Sequence, residues 1–249
     1  PTPNVFYSDQ SGPATAVVVE TGTVRNNGNV TLTLRGDLIN AGGTLTLDYL
    51  STGTVRLTGT AVQRVAVRAG DAFGAFRVAN SSEAVLASAA LTVNGDLTLS
   101  SGTLKAGSAV ISLKGDWRGG GGTFSAQAST LALVNAATAQ AYVDVSTQQF
   151  NGLTCSGGTK TFHAPFGATV FSALSPGMSL QFAAGALFSV SDLRVHGQSP
   201  ATPVVVRSTT PGSAFLLNVG VSTVTAADIR DSDARPGGSV FANDGVSLD

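Results

Sequence analysis

Asp228, Asp231, Asp233 and Asp244 form the one carboxylate-rich stretch of this 249-residue chain. Oxygen ligands at that density suit a hard cation such as Ca²⁺. The spacing Asp228-x-x-Asp231-x-Asp233 nevertheless lacks the placed Gly and terminal Glu of a calcium loop, and Asp is common in β-turns. No metal set is therefore assigned there. His163 and His196 are the only histidines and Cys155 the only cysteine, too few and too scattered for a zinc constellation. Glu occurs only at Glu20 and Glu83, so a glycosidase working with paired carboxylates would need Asp in both roles. Cleavage of acidic polysaccharides would need a groove of several basic residues. The 14 Lys and Arg are scattered, with Arg56, Arg64, Arg68 and Arg77 the densest stretch and Arg194, Arg207, Arg230 and Arg235 in the last third. No catalytic residue and no cofactor is assigned from these patterns, and the expectation is that the protein is not an enzyme.

Two other motifs invite a binding role. Arg35-Gly36-Asp37 spells an adhesive tripeptide, but equivalent positions read Asn94-Gly95-Asp96 and Lys114-Gly115-Asp116. Gly and Asp persist while the first residue changes, which points to turn work: permissive φ from Gly, and bonds from Asp to neighbouring amides. Trp117, the only tryptophan, would suit a sugar ring, yet it occupies the position of Leu38 and Leu97, so core packing is expected. Cys155 falls on Val78 in the repeat alignment and is expected to be an inert buried thiol.

The elements that carry these residues are short strands. Apolar and polar residues alternate in Val30-Thr31-Leu32-Thr33-Leu34, Thr44-Leu45-Thr46-Leu47, Thr54-Val55-Arg56-Leu57 and Ala109-Val110-Ile111-Ser112-Leu113. Turn signals separate them, including Asn40-Ala41-Gly42-Gly43, Ser100-Ser101-Gly102 and the run Gly119 to Gly122. Asp71 to Ala90 holds no helical period and reads as strand and loop; a short helical turn is left open at Asn135 to Val143. A long repeat lays Val30-Val65 over Ala109-Val143 and Gln63 over Gln140, at an offset of roughly 77 to 79 residues. Within it, Gly95-Asp96 and Gly115-Asp116 recur at about 20 residues, one turn of a three-sided parallel β-helix. About twelve such coils would stack into a rod on the order of 55 to 60 Å. The competing fold is a tandem of antiparallel β-sandwiches, disfavoured because Asn-Gly hairpin turns are few.

Composition agrees with a repeat scaffold. Charged residues make up 12% of the chain and the formal net charge is -1, which supplies no overall positive field for nucleic acid. No apolar run approaches the ~18 residues of a membrane span. The start at Pro1, without Met or a basic-then-apolar leader, suggests a processed end or an excised piece. Low charge with abundant Ser and Thr points to an exported bacterial protein, secreted or on the cell surface.

The segment Leu91-Thr92-Val93-Asn94-Gly95-Asp96-Leu97-Thr98-Leu99-Ser100-Ser101-Gly102-Thr103-Leu104 resembles the repeat of a family of large secreted bacterial β-helix proteins. So do Lys114-Gly115-Asp116-Trp117 with Gly122-Thr123-Phe124, the element Gln149-Phe150-Asn151-Gly152-Leu153, and the closing Ala227-Asp228-Ile229-Arg230-Asp231-Ser232-Asp233-Ala234. The resemblance implies export and a right-handed parallel β-helix, and gives no ligand. The chain is thus expected to be all-β, a single β-solenoid domain over 1–249 with long repeats at about 30–108 and 109–190 and a closing part at 191–249. Its expected function is a non-catalytic extracellular stalk, adhesin shaft or self-stacking fibre subunit. The alternative is a carbohydrate-binding or carbohydrate-cleaving β-helix. Expected partners are a copy of itself head to tail, the rest of a larger surface protein, or a surface glycan. Pro1 and Pro3 would blunt one strand edge, and Val246-Ser247-Leu248-Asp249 would leave the other open.

Overall fold

The computed structural model describes residues 5–7, 16–25, 29–47, 53–238 and 240. Pro1, Pro3, Asp244 and Val246-Ser247-Leu248-Asp249 lie outside the described residues. All elements among the described residues are strands, and they pair in parallel. Among the described residues no helix is long and apolar enough to cross a membrane. The strands stack as a β-solenoid of about ten turns, close to the twelve expected. The count falls short because some turns are wider than twenty residues: Leu38 stacks on Val65, and Leu187 on Leu216.

Two compact units divide the chain, Pro1–Ser129 and Thr130–Asp249. In the first, three stacks recur. One runs through Thr31–Leu34, Thr54–Leu57, Ala75–Leu86, Leu97–Lys105 and Trp117–Gly119. A second runs through Thr44–Leu47, Ala72–Phe73, Ala90–Val93 and Val110–Leu113. The third joins Leu38–Asn40 and Gln63–Ala66 to the far halves of Ala75–Leu86 and Leu97–Lys105, then to Thr123–Ser125. The period-two alternation sends one face of each strand inward. Leu32, Val55, Phe76, Leu97 and Trp117 therefore form one buried column. Trp117 is fully buried and packs edge-on against Phe124 at 5.2 Å between ring centroids, the core role expected of it.

The second unit repeats the plan with a heavier interior. Thr159–Phe162, Ser179–Phe182, Val204–Ser208 and Ala227–Ile229 form one of its stacks. Phe162 and Phe182 are register partners with rings stacked at 5.0 Å, and Phe182 stacks on Phe215 at 4.9 Å. Phe166, Phe171 and Phe188 join the same cluster. The segment left open as a helical turn is a bend leading into the strand Gln140–Val143. Asp71 to Ala90 is strand and loop, as its missing helical period required, with Ala75–Leu86 extended throughout.

The recurring Gly-Asp pairs sit at coil corners, but the glycine is needed there for a reason other than φ. Neither Gly95 nor Gly115 has positive φ. A Cβ on Gly115 would fall 2.2 Å from the Gly95 carbonyl carbon, and one on Gly95 would fall 2.6 Å from the Gly74 oxygen. Adjacent coils touch backbone to backbone at these corners, and only Gly leaves the space. The Asp half bonds across coils as well: Asp96 Oδ1 accepts from Asp116 N at 2.8 Å, and Asp37 Oδ1 from Arg64 N at 2.7 Å.

Candidate functional site

In the unit Thr130–Asp249, Gln181, Arg207, Thr209, Gly212, Arg230 and Asp231 line an open polar cleft of about 470 Å³. Its arginines, and Asp228 beside them, are placed by strand register. Gln181 pairs with Arg207, while Val205 and Val206 pair with Asp228 and Ile229, so Asp228 and Arg230 arrive one turn later on the same side. Alternation in Val204–Ser208 buries Val204 and Val206 and turns Arg207 away from the core.

Arg207 is fixed on several sides. Its Nη1 donates to Val206 O at 2.8 Å and to Asp228 O at 2.6 Å, and its Nη2 donates to Asp228 Oδ2 at 2.5 Å. Arg230 Nε reaches the other oxygen, Asp228 Oδ1, at 3.3 Å. Burial pushes the Asp228 carboxyl up; the hydrogen bond and charge of Arg207, joined by Arg230, outweigh it and hold the carboxyl below its usual range. Asp228 is therefore an anion with both oxygens occupied, and it holds no proton to give a leaving group. Asp231 has positive φ, which Asp tolerates, and works as a corner. Its Oδ1 accepts from Gly212 N at 3.1 Å and its carbonyl from Phe215 N at 3.0 Å.

The remaining carboxylate of the stretch among the described residues, Asp233, bonds to Arg235, whose side-chain hydrogen bond brings the Asp233 pKa down to about 2. Asp228, Asp231 and Asp233 are thus engaged by arginines and a backbone amide. Among the described residues no group of three or more His, Cys, Asp or Glu is arranged to hold a metal ion.

No family model, curated protein or solved structure matches the chain.

The other residues singled out by type are dispersed. Arg35-Gly36-Asp37 is a corner in which Gly36 O accepts from Gln63 Nε2 at 2.6 Å and Asp37 binds the Arg64 amide, with Arg35 itself exposed. His163 is exposed, and His196 Nδ1 lies 3.1 Å from Thr225 Oγ1. Glu83 pairs with Lys105 at 2.7 Å, and Arg194 with Asp192 at 2.6 Å. Of Arg56, Arg64, Arg68 and Arg77, register brings only Arg56 and Arg77 side by side. Cys155 is buried, with its thiol pushed up to about 12 by burial against a partial pull from Lys160, so it is no thiolate nucleophile.

Sequence reasoning missed the polar groups inside the coils. Asp71 accepts from Asn40 Nδ2 at 2.7 Å, Leu45 N at 2.9 Å and Arg68 N at 2.7 Å, tying three segments together from a buried position. Gln63 accepts from Gly59 N at 2.8 Å and from Asn80 Nδ2 at 2.6 Å. Lys160 is also buried, its Nζ donating to Asn135 O. The available signal was alternation: Thr159 and Thr161 turn out, so Lys160 and Phe162 turn in.

Proposed function

We propose that the protein is a non-catalytic extracellular structural β-solenoid, a surface stalk, adhesin shaft or self-stacking fibre subunit, as the resemblance of its repeats to those of secreted bacterial β-helix proteins implies. The observation that carries this reading is the use made of the polar side chains. The interior Asp71, Asn40, Gln63 and Asn80 bind backbone and one another, and Asp228, beneath the arginines of the cleft, is held between Arg207 and Arg230. These groups staple coils together, which is what a load-carrying module needs and what an acid–base site cannot afford. In a solenoid, each repeat contacts only its neighbours, so an exposed end rung invites another copy. Such end-to-end contacts are heterologous and propagate into filaments.

The cleft favours the second reading, a carbohydrate-binding or carbohydrate-cleaving β-helix, because it gathers Arg and Asp side chains on one face. Inverting and retaining glycosidases alike need one carboxyl that stays protonated beside one that does not. A carboxylate held ionised by two arginines meets half of that need. The test is incubation of the full chain with a panel of neutral and acidic polysaccharides, followed by assay of new reducing ends. None above buffer is expected. Release of oligosaccharides that disappears in Asp231→Asn or Asp228→Asn would overturn the non-catalytic reading.

A further inference from the structure

On one sheet face of the unit Pro1–Ser129, outward-facing positions follow one another rung by rung as Thr33, Arg56, Arg77, Thr98 and Arg118. Neighbouring strands of a sheet lie about 4.8 Å apart, so Arg56 and Arg77 bring two positive charges to adjacent rungs, where they repel. Arg118 is answered by Asp96 at 2.6 Å and Asp116 at 2.7 Å. Arg77 donates from Nε to Ser100 Oγ at 2.9 Å, and Arg56 Nε is buried without a partner. Among the described residues, neither Arg56 nor Arg77 forms an ion pair with a carboxylate. Two adjacent guanidiniums with no carboxylate partner in the fold form a local positive spot that complements an anion from outside the chain.

We propose that this strip binds an acidic polysaccharide, with Arg56 and Arg77 gripping its carboxylate or sulfate groups and the hydroxyls of Thr33, Thr98 and Ser100 meeting its sugar hydroxyls. The guanidinium fork matches both anions in bidentate geometry. Hydroxyl-bearing residues repeat along the strand stack on either side of the arginine pair, which suits a polymer laid along the stack better than a single small ion. Single-stranded nucleic acid also carries spaced anions, but it is held through bases stacked on aromatic side chains, and the outward positions of this strip carry none. The site adds a partner to the scaffold reading and lies in the unit that does not contain the Arg207 cleft. A failure here therefore leaves the reducing-end assay untouched, and the converse also holds.

The test passes the full chain over columns bearing heparin, polygalacturonate or neutral dextran at low salt, with binding constants measured for any polymer retained. Retention on at least one acidic polymer and none on dextran is expected, and the heparin and polygalacturonate arms separate sulfate from carboxylate. The double variant R56Q/R77Q should bind about tenfold or more weakly, since each lost charged hydrogen bond removes on that order. R56K/R77K should keep part of the retention, and Arg235→Gln in the other unit should change nothing. Thermal melts by circular dichroism accompany each variant, and single Arg77→Gln, at an exposed position, replaces the double variant if that one unfolds early. Passage of the chain through both acidic columns, equal binding by R56Q/R77Q, or tighter binding to oligodeoxythymidylate would overturn the proposal.

Discussion

Lys160 and Cys155 illustrate how single residues take their properties from the coil interior. Lys160 sits in a strand whose inward partners in register are Gln140 below and Leu180 above, and burial lowers its pKa with Cys155 pulling the other way. Burial raises the thiol of Cys155 from 9.0 to about 12. In the unfolded chain that thiol ionises near 9, whereas in the folded protein it does not. The folded form thus binds more protons above pH 9, and the contribution of Cys155, fully present below 9, is lost as pH rises toward about 12. Relative to Cys155→Ala, the wild-type protein should lose about 1–2 kcal/mol between pH 9 and pH 10.5. Lys160 works in the opposite sense below 10.5, so the comparison is made in denaturant melts of both proteins, with Lys160→Met as a second background. A constant difference across that range would contradict the buried-thiol assignment. Cys155 was legible in the sequence because its repeat equivalent, Val78, is plainly apolar. Lys160 was not, because a charged residue in an inward position runs against what its type predicts.

At the scale of strands and corners, the alternating patterns announced the strands and the recurrence of Gly-Asp announced the stacking. Both are properties of neighbours along the chain. What the glycine does is a property of the coil beneath, and a single sequence read in isolation offers no view of it. The distinction has a measurable consequence. Gly115→Ala places a methyl group 2.2 Å from the Gly95 backbone, whereas Gly120→Ala meets its nearest neighbour at 3.4 Å, an ordinary contact, without positive φ at either site. Gly115→Ala should cost about 1–3 kcal/mol through forced separation of two coils, and Gly120→Ala should stay within about 0.5 kcal/mol. Urea melts of the two variants decide between close approach and turn conformation as the constraint. Equal effects would favour the latter. The buried polar ties of Asp71 and Gln63 escaped for a related reason: their partners Asn40, Leu45, Asn80 and Leu34 lie in other segments of the chain.

At the scale of the whole molecule, several of the scarce charges form pairs across neighbouring coils or within one corner: Lys105 with Glu83, Arg118 with Asp96 and Asp116, Arg207 and Arg230 with Asp228. The sequence foretold their low number but not their pairing, since Arg207 and Asp228 meet only once Val205 and Val206 are stacked on Asp228 and Ile229. Such pairs, half exposed, contribute little individually. Those that cross from one coil to the next help fix the register of the stack. All of this depends on turns stacked in parallel register, and the corner amides report on that most directly. Gly95 N donates to Gly74 O, Gly115 N to Gly95 O at 3.1 Å, and Asp116 N to Asp96 Oδ1 at 2.8 Å, each bond crossing from one coil to the next. Residue-resolved amide hydrogen exchange should find these corner amides protected to a degree comparable with the strands Leu97–Lys105 and Trp117–Gly119 beside them. Exchange at Gly95, Gly115 and Asp116 as fast as in open hairpin turns, with protection confined to the strands, would contradict the stacked-coil account.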